Sequence, residues 1–173
     1  AISSMGKTTL ALQVADYIAA SKHPVLYVTI EQSASEMVAK SLTRIVRALY
    51  DGPAVTERHV MGKAARAGLT QGAMDALWLA AGIYGEAIAP WLVYLESPLG
   101  RGTTAFDVNE AARRIEGYTG SAPVVVVDYL QLMAPADDAG TRREATDGNV
   151  KALKQIARDL NTPVLAITSL NRA

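Results

Sequence analysis

Pro123-Val124-Val125-Val126-Val127-Asp128 is the stretch that decides the fold class. Four β-branched residues in a row, bounded by a proline and an acid, read as a strand that is apolar on both faces. A strand with one wet face would alternate, so this one belongs in a mainly parallel sheet with helices over both sides. Three further runs repeat the pattern: VLYVTI at 25–30, LVYL at 92–95 and VLAI at 164–167, the first and last directly behind Pro24 and Pro163. The segments between them carry helical spacing. Met37 or Val38, Ser41 or Leu42, Ile45 and Leu49 make one stripe, and Val150, Leu153, Ala157 and Leu160 another,. Ser33 followed by Glu36 reads as a capping box that starts the first of these helices. Strand and helix alternate along most of the chain, which predicts one α/β domain over 1–173 with a doubly wound or RecA-like core. Two connections stand out as loops: 51–68, and the polar stretch 134–149.

Composition narrows the class further. A chain of 173 residues with 50% apolar content has the size and make-up of one globular domain with a buried core,. Lys plus Arg and Asp plus Glu both number 17, so contact with a polyanion must come from a local basic patch,. There is no cysteine, which excludes disulfides and thiolate metal sites and fits a reducing, cytoplasmic compartment,. The most apolar window, 73–95, is interrupted by Asp75, Glu86 and Pro90, and no charged leader precedes it. That argues against a membrane span.

The first chemical signal is Ser3-Ser4-Met5-Gly6-Lys7-Thr8-Thr9, which runs into a helical pattern from Leu10 to Ala20. It reads as a phosphate-binding P-loop. Backbone N–H groups at a helix N-terminus surround phosphate, the lysine ammonium reaches the β and γ oxygens, and the Thr8 hydroxyl completes a Mg²⁺ shell. The pattern asks for glycine five residues before Gly6, where Ala1 stands; the competing reading is a plain surface-helix start. The second signal is Asp128, delivered to the carboxyl end of a buried strand, where ligands of open α/β sheets bind. It suits a Walker B aspartate that supports Mg²⁺ through water, against the alternative of a turn or cap residue. Third, the strand at 25–30 ends in Glu31, which could orient or deprotonate an attacking water. Its alternative is a charge placed to favour the next helix N-terminus.

These residues resemble the DnaB-type replicative helicase family, in its C-terminal ATPase domain. Ser4-Met5-Gly6-Lys7-Thr8-Thr9 is similar to that family's P-loop, in which alanine also occurs at the place of Ala1. Thr29-Ile30-Glu31, with Met37 further on, resembles its SLEM segment, and Asp128-Tyr129-Leu130-Gln131-Leu132-Met133 matches its DYLQLM. Leu153-Lys154 through Thr168-Ser169-Leu170-Asn171-Arg172 resembles the stretch ending in SQLNR. The resemblance covers nearly the whole chain. It implies that Lys7 and Thr8 bind the phosphates of ATP and Mg²⁺, that Asp128 supports the metal, and that Glu31 is the catalytic base. It further implies a hexameric ring that moves along single-stranded DNA, with nucleotide between neighbouring subunits and an arginine reaching in from one of them. Three departures are expected to matter. The γ-phosphate-sensing glutamine of that family is Ser169 here, and the strand before the P-loop and the segment carrying the arginine finger are absent from 1–173.

For DNA contact, 134–149 takes the place of the family's first central-channel loop and holds Arg142 and Arg143, with Asn171 and Arg172 as further candidates. Asp137, Asp138, Glu144 and Asp147 offset the arginine pair, whose competing reading is solvated surface,. Trp78 and Trp91 are expected in the core, and His23 beside Pro24 in a turn. Two other classes share these residues: an ATPase that loads or remodels a protein client, and a nucleotide-binding module with little turnover, which the exchange at Ser169 would favour.

Overall fold

In a computed structural model, residues 6–62, 64, 68–97, 102–135 and 141–168 are described. Four strands, β1 (Val25–Thr29), β2 (Leu92–Glu96), β3 (Val124–Asp128) and β4 (Val164–Ala166), form one sheet in the order β2-β1-β3-β4. Every pairing is parallel, with Thr29 opposite Asp128 and Val127 opposite Ala166. The helices are α1 (Lys7–Ala20), α2 (Ala34–Leu49), a single turn α3 (Glu57–Val60), α4 (Gln71–Ile83), α5 (Ala105–Thr119) and α6 (Arg142–Asp159). A π-helical turn at Tyr84–Ile88 and a 3₁₀ turn at Ala89–Trp91 lead from α4 into β2.

The central strands behave as their composition demands. Along β1, Leu26 and Val28 face a core made with α5 and α6, while Val25 and Tyr27 face a second core made with α1, α2 and the π-helical turn. Val125 and Val127 of β3 join the first core and Val126 the second. A run that is apolar on both faces is therefore covered on both, as parallel pairing requires. The edge strands differ from the expectation: Val93 and Leu165 are exposed. Among the described residues each edge strand has a single neighbour, so its outer positions lack the helix cover that buries β1 and β3.

The helix starts follow local chemistry. The Ser33 hydroxyl accepts from the Glu36 N–H at 3.3 Å while the Ser33 N–H donates to the Glu36 carboxylate at 3.0 Å, the expected capping box,. The carboxylate of Glu96, at the end of β2, also accepts from the Ala34 N–H, tying this helix start to the sheet. Thr104 and Asp107 form an equivalent box on α5, and the Thr70 and Thr141 hydroxyls cap α4 and α6.

Four expectations are corrected. Trp78 is 72% exposed on α4, because the buried stripe of that helix is Ala73, Ala76 and Ala80 and Trp78 lies off it. Trp91, by contrast, is partly buried and packs against the core that holds Tyr27. The stripe of α6 is Asn149, Leu153, Ile156 and Leu160, one residue round from the reading that included Val150, which is exposed. The polar stretch 134–149 is not all loop: α6 begins at Arg142, inside it. The connection 51–68 likewise contains α3. Among the described residues no helix is long and apolar enough to cross a membrane.

Candidate nucleotide-binding site

Parallel strands end on the same edge of a sheet, and here backbone hydrogen bonds carry that alignment past the strands. The Ile30 N–H donates to the Asp128 carbonyl at 3.1 Å, the Ile167 N–H to Val127 at 2.9 Å, and the Leu130 N–H to Ile167 at 2.9 Å. Asp128 therefore ends one of three aligned strands, and Glu31 and Thr168 follow the ends of the other two. The N-terminus of α1 comes to the same edge, because the Lys7 ammonium donates to the Thr168 carbonyl at 2.9 Å. The ladder thus places Lys7, Glu31 and Asp128, separated widely in sequence, around one side of the sheet.

Each of these residues has a local reason for its position. Gly6 starts α1 with φ of 72°, a left-handed conformation that glycine adopts without strain,. Lys7 and Thr8 are the first residues of the helix, with Thr8 half-buried and Thr9 exposed. Exposed Glu31 lies in a bend, and the Thr29 hydroxyl donates across that bend to the Gln32 carbonyl at 2.6 Å. Asp128 is 8% exposed and its Oδ2 accepts a hydrogen bond from the Tyr27 hydroxyl at 3.1 Å. The peptide between Asp128 and Tyr129 is cis. Tyr27 sits opposite Val126, so Asp128, two residues on, shares its face of the sheet and lies within diagonal reach,.

Behind the edge lies a buried polar cluster that sequence reasoning missed. Asp16 of α1 is 2% exposed and accepts from the Ser41 hydroxyl and the Arg44 guanidinium of α2, each at 2.7 Å. Burial pushes its carboxyl above the usual value, while Ser41 and Arg44 pull it down. Its other oxygen, Oδ1, and Nε of Arg44 have no hydrogen-bond partner among the described residues. The Tyr27 and Tyr94 rings lie 5.8 Å apart at 53°, and the Tyr94 and Tyr84 hydroxyls meet at 3.5 Å. All three phenols are pushed up by burial, Tyr27 further by the charge of Asp128 and by donating to it. A signal for Asp16 was present in the sequence, since Leu12, Ala15, Asp16 and Ala19 follow core spacing. For Tyr27 no signal existed beyond a tyrosine inside an apolar strand.

The other predicted positions divide into two groups. Ser3, Ser4, Met5, Ser169, Asn171 and Arg172 lie outside the described residues. Arg142 and Arg143 form the first turn of α6, with Arg143 exposed. Among the described residues no three His, Asp or Glu side chains converge as a protein-only metal cage. A hydroxyl at Thr8 and a carboxylate at Asp128 are hard oxygen donors, the set that suits Mg²⁺ when phosphates and waters complete its shell. The residues present fit that cation.

The parallel sheet, the helix opening at Gly6-Lys7-Thr8 and the aspartate ending β3 define a RecA-like α/β core of the P-loop kind. The family model for the DnaB-like helicase C terminal domain matches residues 1–173, and the chain belongs to that family. It is 30% identical over 170 residues to a replicative DNA helicase DnaB of Pasteurella multocida, covering 98% of this chain and 33% of that protein. The corresponding protein of Haemophilus influenzae is 30% identical over 172 residues, with the same coverage. The chain therefore spans about a third of the length of these relatives. Among solved structures, an ATPase domain superposes with a TM-score of 0.83 at 23% identity, covering 98% of this chain and 55% of that one. A DnaB-like replicative helicase, described with its interactions with primase, superposes at 0.81 and 23% identity, covering 98% and 38%.

Proposed function

We propose that this chain binds ATP with Mg²⁺ at the edge formed by α1, β1 and β3, and acts as the ATP-hydrolysing motor domain of a cytoplasmic, ring-forming helicase that moves on single-stranded DNA. Support for the site comes from one arrangement above all: the Lys7 ammonium and the Asp128 carboxylate reach the same end of a parallel sheet, where α/β sheets bind ligands,. In this reading the N–H groups of 3–9 hold the phosphates. Lys7 leaves the Thr168 carbonyl for the β and γ oxygens, and Thr8 with Asp128 holds the cation. When bound, the cation would supply the charge that neutralises the transferring phosphoryl group. Glu31, exposed at the bend after β1, orients the attacking water and takes its proton. Support for the motor role comes from membership of the DnaB-like family and from the likeness to DnaB relatives over nearly all of this chain. A hexameric ring would bring an arginine from a neighbouring subunit to the γ-phosphate, and Ser169 would stand at the sensor position. Arg142, Arg143, Asn171 and Arg172 are the candidate contacts to single-stranded DNA.

Lys7→Ala tests the site. Removing a charge-assisted hydrogen bond to phosphate should weaken ATP binding roughly ten- to a hundredfold, since such a bond contributes about 1.5–3 kcal/mol. Calorimetric titration of ATP and Mg²⁺ into the two proteins measures it, and equal affinities would sink the assignment.

A further inference from the structure

We propose that Tyr27 is a positioning residue for Asp128, holding the carboxylate in the orientation that supports the Mg²⁺ of a bound nucleotide. This role depends on the edge of α1, β1 and β3 being a nucleotide site. Tyr27 is fully buried, in a strand position where phenylalanine would fill the same space without a polar atom. A buried hydroxyl costs stability unless it is hydrogen-bonded, and this one is used on Asp128 Oδ2, 3.1 Å away. Burial holds the ring in place: Tyr27 is fully buried, belongs to the core that also contains Leu12, Met37 and Val126, and faces the tilted ring of Tyr94. Asp128 ends its strand and has a short side chain with two torsions, so a donor on a fixed ring is what selects its rotamer. A carboxylate has about four lone-pair directions. The phenol takes one and leaves the remainder for water or cation. Groups that orient a metal-supporting carboxylate in this way typically change metal affinity by roughly 10–100-fold when removed.

The test separates metal dependence from nucleotide binding. ADP is titrated into the chain in EDTA and across a Mg²⁺ series. Tyr27→Phe should leave affinity in EDTA within about twofold and raise the Mg²⁺ concentration for half-maximal effect about tenfold. Tyr94→Phe, which removes a neighbouring part-buried hydroxyl that meets Tyr84 instead, should change neither. Asp128→Asn should show the same rise, with no further rise when Tyr27→Phe is added. Independently of any variant's folding, wild-type protein labelled at tyrosine Cζ should show the Tyr27 carbon resonance shifting with Mg²⁺ and ADP together but not with ADP in EDTA. An unmoved resonance, an unchanged Mg²⁺ requirement, an equal loss in EDTA, or additivity with Asp128→Asn would each overturn the proposal. If instead Lys7→Ala binds ADP as the wild type does, the nucleotide site itself has been misread, and the proposal falls with it for that separate reason.

Discussion

Asp16 is a carboxylate where the periodicity of α1 calls for an apolar side chain, and its surroundings pull in opposite directions. Burial disfavours its charge, while the Ser41 hydroxyl and the Arg44 guanidinium favour it, and burial is the larger effect,. Arg44 is partly exposed, so water screens its half of the ion pair and weakens the compensation. A carboxyl whose value is raised on folding binds its proton more tightly in the folded chain. That contribution is fully present below the unfolded value of 3.8 and is lost as pH rises through the higher folded value,. Asp16→Asn cannot ionise and should lack this fall. Urea unfolding of both proteins should therefore show the wild type losing stability relative to the variant from about pH 4 upward, by about 1.4 kcal/mol for every tenfold by which folding tightens proton binding. A relative gain over the same range would mean that Arg44 outweighs burial.

At the scale of elements, α6 changes what the two arginines mean. In a loop they would be an isolated basic pair; in the first turn of an 18-residue helix they add to the positive end of its dipole,. Cations there cost the helix stability, about 0.3–1 kcal/mol each, and Glu144 in the same turn and the Thr141 cap offset part of it,. A residue kept at a cost to its own helix is a reasonable place to look for an interaction with phosphate. Replacing both Arg142 and Arg143 with alanine should leave thermal stability unchanged or slightly higher. Binding of single-stranded DNA should weaken, with the slope of log K against log salt flatter by about 0.7 for each phosphate that is no longer neutralised. Equal slopes, measured by fluorescence anisotropy across a salt series, would return the pair to solvated surface.

For the whole molecule, the proposed nucleotide site draws on Lys7, Thr8, Glu31 and Asp128, and the ring proposed above would add an arginine from a neighbouring subunit. In phosphoryl transfer of this kind an arginine supplied from a neighbour contributes roughly 10³–10⁵ in turnover. We expect the 173-residue chain alone to bind ATP yet hydrolyse it slower by a factor in that range than the same chain assembled into rings with its flanking sequence,. Phosphate release at saturating ATP and Mg²⁺, with and without single-stranded DNA, makes the comparison. Comparable DNA-stimulated rates would show that a single chain carries a complete catalytic site.

That β3 is covered on both faces was legible in the residues, because four valines bounded by Pro123 and Asp128 can be satisfied only by burial on both faces,. The start of α2 was legible for a different reason: the Ser33 and Glu36 capping box is closed within three residues and needs nothing from the rest of the chain. Candidate chemistry at Lys7, Asp128 and Glu31 could be read for the same reason, since each follows a local motif. Other features depended on what packs against what. The exposed Trp78, the wet faces of β2 and β4 and the rotated stripe of α6 follow from which neighbours each element meets, and apolar periodicity does not contain that information. Tyr27 and Asp128 stand 101 positions apart, as Lys7 and Thr168 stand 161 apart. Strand order and register put each pair within hydrogen-bond distance, and such long-range pairing is a property of the assembled sheet that no stretch of the chain encodes alone.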